Sequence, residues 1–119
     1  MKKTLVLGAS TNPARYAYLA MHRLKEAGHE AIPVGIKIGI VAEELIRNDL
    51  PQLEDIDTVT LYLNPKRQEE YYDYILNLHP KRIIFNPGTE NFVLAKLAEE
   101  KGIEVLNACT LVLLSMGKY

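Results

Sequence analysis

One cysteine in 119 residues excludes an intrachain disulfide framework and fits a reducing compartment. An excess of charge of either sign is also absent: fourteen Lys and Arg stand against fifteen Asp and Glu, a net of −1, with no like-charge run and no basic stripe. Nucleic acid therefore finds no electrostatic footprint. No apolar run reaches membrane-spanning length, and the stretch behind "MKK" is too short for a signal h-region and lacks a small-residue cleavage site. The expectation is a cytoplasmic protein with neither nucleic acid nor membrane as a partner.

Further absences narrow the chemistry. The turn "VLGASTNPARYAY" (6–18) occupies the place of a nucleotide-binding turn but lacks two of the glycines of G-x-G-x-x-G, and "PVGIK" (33–37) lacks the acid that would hold a ribose diol. Both omissions weigh against NAD. No acidic cluster falls at the strand ends for a divalent metal, since Asp57 precedes its strand. His22 reads as mid-helix and His29 and His79 as helix exits, so no nucleophile, base and orienting group assemble. No catalytic and no metal residue is assigned.

What is present is a repeated strand–helix alternation. With 48% hydrophobic residues, the chain is expected to form one domain over 1–119. Apolar runs at 4–8, 30–35, 57–64, 82–86 and 103–107 read as strands. Helices are expected from Asn12 as cap and Pro13 as first residue up to Gly28, from Pro65 with Tyr71, Tyr74, Ile75 and Leu78 on one face, and over 87–102. Residues 36–56 suggest only a short helical turn or a hairpin. Five strands alternating with helices imply a doubly wound α/β domain with a five-stranded parallel sheet and right-handed crossovers, a Rossmann-like fold.

Ligands of such sheets bind outside the carboxyl ends of the strands. Three Asn-Pro pairs, Asn12-Pro13, Asn64-Pro65 and Asn86-Pro87, fall at those ends together with Gly8, Gly35 and Gly88. They suggest a shared cleft. Gly8 admits close approach of a ligand, the helix expected at Asn12-Pro13 directs free N–H groups at it, and Arg15 stands where a helix disfavours a cation. An anion is the natural occupant. Gly35 and Lys37 leave room and charge for a phosphorylated ribose, Lys66 and Arg67 are weaker candidates, and Cys109 falls just past the fifth strand where a helix is expected to start. "YYDY" (71–74) reads as core or subunit contact.

"GASTNPAR" with Tyr18, "AIPV", "LYLNP", "NPGTEN" and "NAC" together resemble the small stand-alone coenzyme A-binding domain family, itself similar to the N-terminal domain of the succinyl-CoA synthetase alpha subunit. The resemblance spans nearly the whole chain. It implies that the nucleotide and pyrophosphate of coenzyme A lie over Gly8, Ala9, Ser10 and Arg15, the exit of the second strand at Val34, the third loop at Asn64-Pro65 and the fourth at Gly88. Gly35-Ile36 stands where many members have Asn-Pro, and Ala17 where many have serine. The synthetase's phosphorylated histidine lies in a domain with no counterpart here, so the resemblance implies ligand binding without independent catalysis. Alternatives left open are a small enzyme or enzyme subunit acting on a nucleotide or acyl-CoA with a partner, an NAD(P)-binding regulatory domain, and an interaction module that has lost its ligand. A homo-oligomer or an acyl-CoA enzyme are the open protein partners.

Overall fold

Strands rich in Val, Ile and Leu and bounded by turn residues form the centre of the computed structural model, which describes residues 1–119. They are β1 (Lys3–Leu7), β2 (Glu30–Val34), β5 (Thr58–Leu61), β6 (Arg82–Phe85) and β7 (Glu104–Asn107). Their order is β2-β1-β5-β6-β7, and every neighbouring pair is parallel. The expected five-stranded, doubly wound parallel sheet is what forms. Because the chain leaves β1 toward β2 on one side and later returns to β5 on the other, the strand order reverses between β1 and β5. A crevice for ligands opens there.

Helices cover both faces: α1 (Tyr16–Glu26), α2 (Pro65–Gln68), α3 (Tyr72–Asn77), α4 (Phe92–Glu100) and α5 (Thr110–Ser115). Alternation along β1 sends Leu5 and Leu7 into one core with Ile75, Leu94 and Ala98, and Val6 into the other with Ala17, Met21 and Leu24. The α1 side is partly polar. Buried Thr4, Thr58 and Thr60 bond Tyr119, Arg82 and Thr110 respectively, so none of these hydroxyls is left unpaired. No helix is long and apolar enough to cross a membrane.

Residues 36–56 contain a hairpin, the second of the two expected forms: β3 (Gly39–Val41) pairs antiparallel with β4 (Glu44–Ile46). Its turn residues Ala42 and Glu43 both take left-handed conformations, φ 49° and 68°, the twist a two-residue hairpin turn requires. Arg47 then bridges Val34, and its carbonyl accepts from the Gly35 N–H at 2.9 Å. The hairpin thereby covers the carboxyl end of the free edge of β2.

Two expected helix starts are corrected. The first helix begins at Tyr16 with Arg15 at its cap, not at Pro13. Asn12 Oδ1 accepts from the Ala14 N–H at 3.0 Å and the Asn12 carbonyl from the Arg15 N–H at 3.0 Å, so Asn12-Pro13 makes a turn ahead of the helix. The helix expected over 87–102 begins only at Phe92, capped by Asn91 Oδ1 on the Leu94 N–H. Pro87-Gly88 occupies the middle of a turn closed by the Thr89 N–H on the Asn86 carbonyl at 2.9 Å, with Gly88 at φ 92°. Only Asn64-Pro65 is the expected cap and first helical residue, with Asn64 Oδ1 on the Arg67 N–H at 2.9 Å.

Candidate functional site

The loop from Gly8 to Arg15 lies at the switch point, between the exits of β2 and β5. Gly8, at φ 97°, has room for no side chain, because a Cβ would stand 2.9 Å from the Tyr62 carbonyl carbon. Gly35 is equally constrained, since its Cβ would meet the Ala9 carbonyl oxygen at 2.5 Å. The two glycines let three loop segments close on one another. The Gly8 and Ala9 N–H groups both donate to the Val34 carbonyl, at 2.8 and 3.0 Å, so these amides serve β2 rather than a ligand. The Asn12 N–H donates to Ser10 Oγ at 3.0 Å. Free of any partner within the chain are the amides of Ser10, Thr11, Tyr16 and Ala17. Beside them Arg15 is exposed and unpaired. Unpaired amides at a loop-to-helix junction and an exposed guanidinium form an arrangement suited to a phosphate.

The other expected site residues divide in two. Val34 is buried at the β2 exit, Asn64, Pro65 and Gly88 are exposed on the third and fourth loops, and half-buried Cys109 caps α5 without a side-chain bond. Lys37 is exposed at the entry to the hairpin. Asn86, by contrast, is turned wholly inward. Its Nδ2 donates to Thr60 Oγ1 at 2.7 Å and to the Leu61 carbonyl at 2.9 Å, and its Oδ1 accepts from the Thr110 N–H at 2.9 Å. Both Nδ2 donors are used within the chain and Oδ1 holds the Thr110 amide, so the side chain ties β5, β6 and the start of α5 together from a buried position.

A second polar group behind the loops escaped the sequence reading. Buried Gln68 donates through Nε2 to the carbonyls of Leu63 and Thr89, both at 2.8 Å, and its Oε1 accepts from Asn91 Nδ2 at 2.9 Å. Asn91 also donates to Tyr72 Oη at 2.8 Å. This network holds the third and fourth loops in register. Asn91, directly ahead of the apolar run "FVLAKLA", could have been found as a helix cap. Gln68 offered only its place on the same helical face as buried Tyr71 and Ile75.

Tyr62, one residue past β5, buries its hydroxyl without a hydrogen-bond partner. Burial pushes this phenol up to about 12; the nearby Thr60 and Thr110 hydroxyls pull the other way but bond each other at 2.8 Å. It stays a neutral phenol at the foot of the site. Two cavities lie away from the carboxyl ends of the strands: one of about 470 Å³ between α1 and the hairpin, and one of about 530 Å³ at the amino ends of β1, β5 and β6. At the carboxyl ends, Arg15, Lys37, Asn64, Pro65 and Gly88 are all exposed, which leaves the loops around the switch point open to an extended molecule.

A family model described as a CoA binding domain matches residues 2–115. The chain is similar to an uncharacterized protein of known crystal structure at 57% identity, covering 100% of this chain and 98% of that one with a TM-score of 0.98. It is similar to a hypothetical protein from Pyrococcus horikoshii OT3 at 30% identity, covering 93% and 80% of the two chains with a TM-score of 0.85. A Thermus thermophilus protein shares the fold at 23% identity, with coverage of 99% and 90% and a TM-score of 0.84. Nothing among the curated proteins matches. With all but a few terminal residues matched by the model, the chain belongs to the coenzyme A-binding domain family.

Proposed function

We propose that the protein binds coenzyme A or an acyl-CoA on the shelf at the β1/β5 switch point and performs no catalysis of its own. The observation that carries this reading is the first loop, where the Ser10, Thr11, Tyr16 and Ala17 amides have no partner within the chain and the exposed, unpaired Arg15 stands at the loop-to-helix junction. The pyrophosphate binds at that junction. The nucleotide then extends past Val34-Gly35 and Asn64-Pro65, with Gly88 on the fourth loop, and the pantetheine arm runs toward Cys109. Asn86 acts behind the site as a positioning residue.

Calorimetry with coenzyme A on the wild type and on Arg15→Ala tests the assignment. Loss of a charge-assisted contact of roughly 1.5–3 kcal/mol weakens binding about tenfold or more. Coenzyme A should also raise the melting temperature more than NAD or NADP at equal concentration. Unchanged affinity in Arg15→Ala removes Arg15 from the site, and a larger shift with NAD or NADP overturns the ligand.

A further inference from the structure

Away from the carboxyl ends of the sheet, the amino ends of the strands carry a cluster of titratable groups centred on His29. Its backbone N–H donates to the Leu24 carbonyl at 3.0 Å, which fixes it between α1 and β2. Its ring reaches across to the residue ahead of β1, where Nδ1 accepts from the Lys2 N–H at 2.9 Å. Tyr119, beyond the end of α5, packs against the imidazole with ring centroids 4.9 Å apart, and its hydroxyl bonds Thr4 Oγ1 at 2.6 Å. Buried Arg82 holds its guanidinium 4.4 Å from the centre of the Tyr119 ring, and Lys2 Nζ stands 5.9 Å from it. Segments distant in the chain therefore meet on one imidazole.

Only the neutral imidazole fits this arrangement. Nδ1 receives the Lys2 N–H with its lone pair, so the ring proton sits on Nε2; a second proton would occupy that lone pair and set donor against donor. Charge opposes the second proton as well. The Met1 amino group, Lys2 and Arg82 all act on His29, Arg82 Nη2 is buried without a partner, and the one acid among them, Asp57, already accepts from Thr58 Oγ1 at 2.7 Å. Tyr119 offers no relief, because its ring already serves Arg82 and Lys2. Burial first, and then these three cations, hold the His29 pKa below its ordinary value.

We propose that His29, Lys2 and Tyr119 form an acid-released clasp, in which protonation of the imidazole detaches Lys2 from the residue ahead of β2 and loosens Tyr119 from the sheet. A depressed imidazole favours the fold only while it is neutral. Its contribution is complete above about pH 6.5, the ordinary value, and is lost as pH falls from there through the folded value. Leu5, Val59 and Ile83, a little further along their strands, are fully buried, so the clasp opens while the sheet stays formed.

Nitrogen-resolved NMR of the full chain from about pH 7.5 to about pH 4.5 tests the proposal. At neutral pH, Nδ1 of His29 should be the unprotonated ring nitrogen. On acidification the Lys2 amide and Tyr119 ring signals should shift with the His29 imidazole at one midpoint below its ordinary value, and the protection of the Lys2 amide against exchange should fall about tenfold or more. His29→Asn keeps an acceptor in the place of Nδ1 and takes up no proton, so both signals should stay in place over the same range. Urea midpoints give a second reading, in which the wild type loses stability relative to His29→Asn as pH falls below about 6.5. A protonated Nδ1 at neutral pH overturns the proposal whatever the variant does. So does a Lys2 amide that fails to follow the imidazole, or one that shifts equally in His29→Asn shown to be folded by circular dichroism.

Discussion

Replacing Asn86 by alanine separates a residue that holds the site together from one that touches ligand. Three hydrogen bonds disappear: Nδ2 to Thr60 Oγ1, Nδ2 to the Leu61 carbonyl, and the Thr110 N–H to Oδ1. At about 1 kcal/mol net for each, and with the buried Thr110 N–H left unpaired, the expected loss is roughly 3–5 kcal/mol. That is a large part of the ~5–15 kcal/mol available to a domain of this kind. With an unfolding entropy of about 2.1 cal/mol/K per residue, it lowers the melting temperature by roughly 10–20 °C. Urea unfolding at low temperature measures the loss, and calorimetry with coenzyme A on the folded variant measures the site. Asn86→Asp adds a check on the donor side. Its carboxylate turns acceptor against Thr60 Oγ1 and the Leu61 carbonyl, so the buried charge raises its own pKa, and protonation restores a donor. Relative to wild type, this variant should regain stability as pH falls. A loss below about 1 kcal/mol in Asn86→Ala would refute the structural account, and an affinity drop without a stability loss would return Asn86 to the ligand.

Two further perturbations follow from backbone and burial. His79, exposed after α3 and ahead of Pro80, takes φ 48° where a helix ending in this way favours glycine. His79→Gly should stabilise by about 0.5–1 kcal/mol, the left-handed penalty less the flexibility glycine adds to the unfolded chain, raising the melting temperature by a few degrees; a fall would contradict this. Tyr62 keeps its proton in the fold up to about 12, against 10 as its ordinary value. Between those values the folded state holds more protons than the unfolded one, so stability is fully present below pH 10 and is lost as pH rises toward 12. Tyr62→Phe gives up no hydrogen bond and should flatten this alkaline loss in urea midpoints taken from pH 8.5 upward, while Tyr74, also pushed up to about 12 by burial, keeps its share. An identical slope would show that Tyr62 is not the group responsible.

Amino-acid pattern alone determined the α/β class and the five parallel strands of this protein, because buried strands written as runs such as "TLVLG" and "RIIFN" between helical periods admit little else. The first loop was legible for the same local reason: a glycine after an apolar run, followed by a polar turn and an arginine. Tertiary structure decided what each similar signal does. Of three Asn-Pro pairs, one turns ahead of a helix, one caps a helix, and one buries its amide between strands, a choice made by what lies across from each asparagine rather than beside it. Likewise the Gly8 and Ala9 amides are taken by the Val34 carbonyl of a strand more than twenty residues away. Gln68 and Tyr62 became visible only when loops distant in the chain closed over them. Hydrogen-bond partners across a sheet are set by strand order and register, which short-range periodicity does not encode.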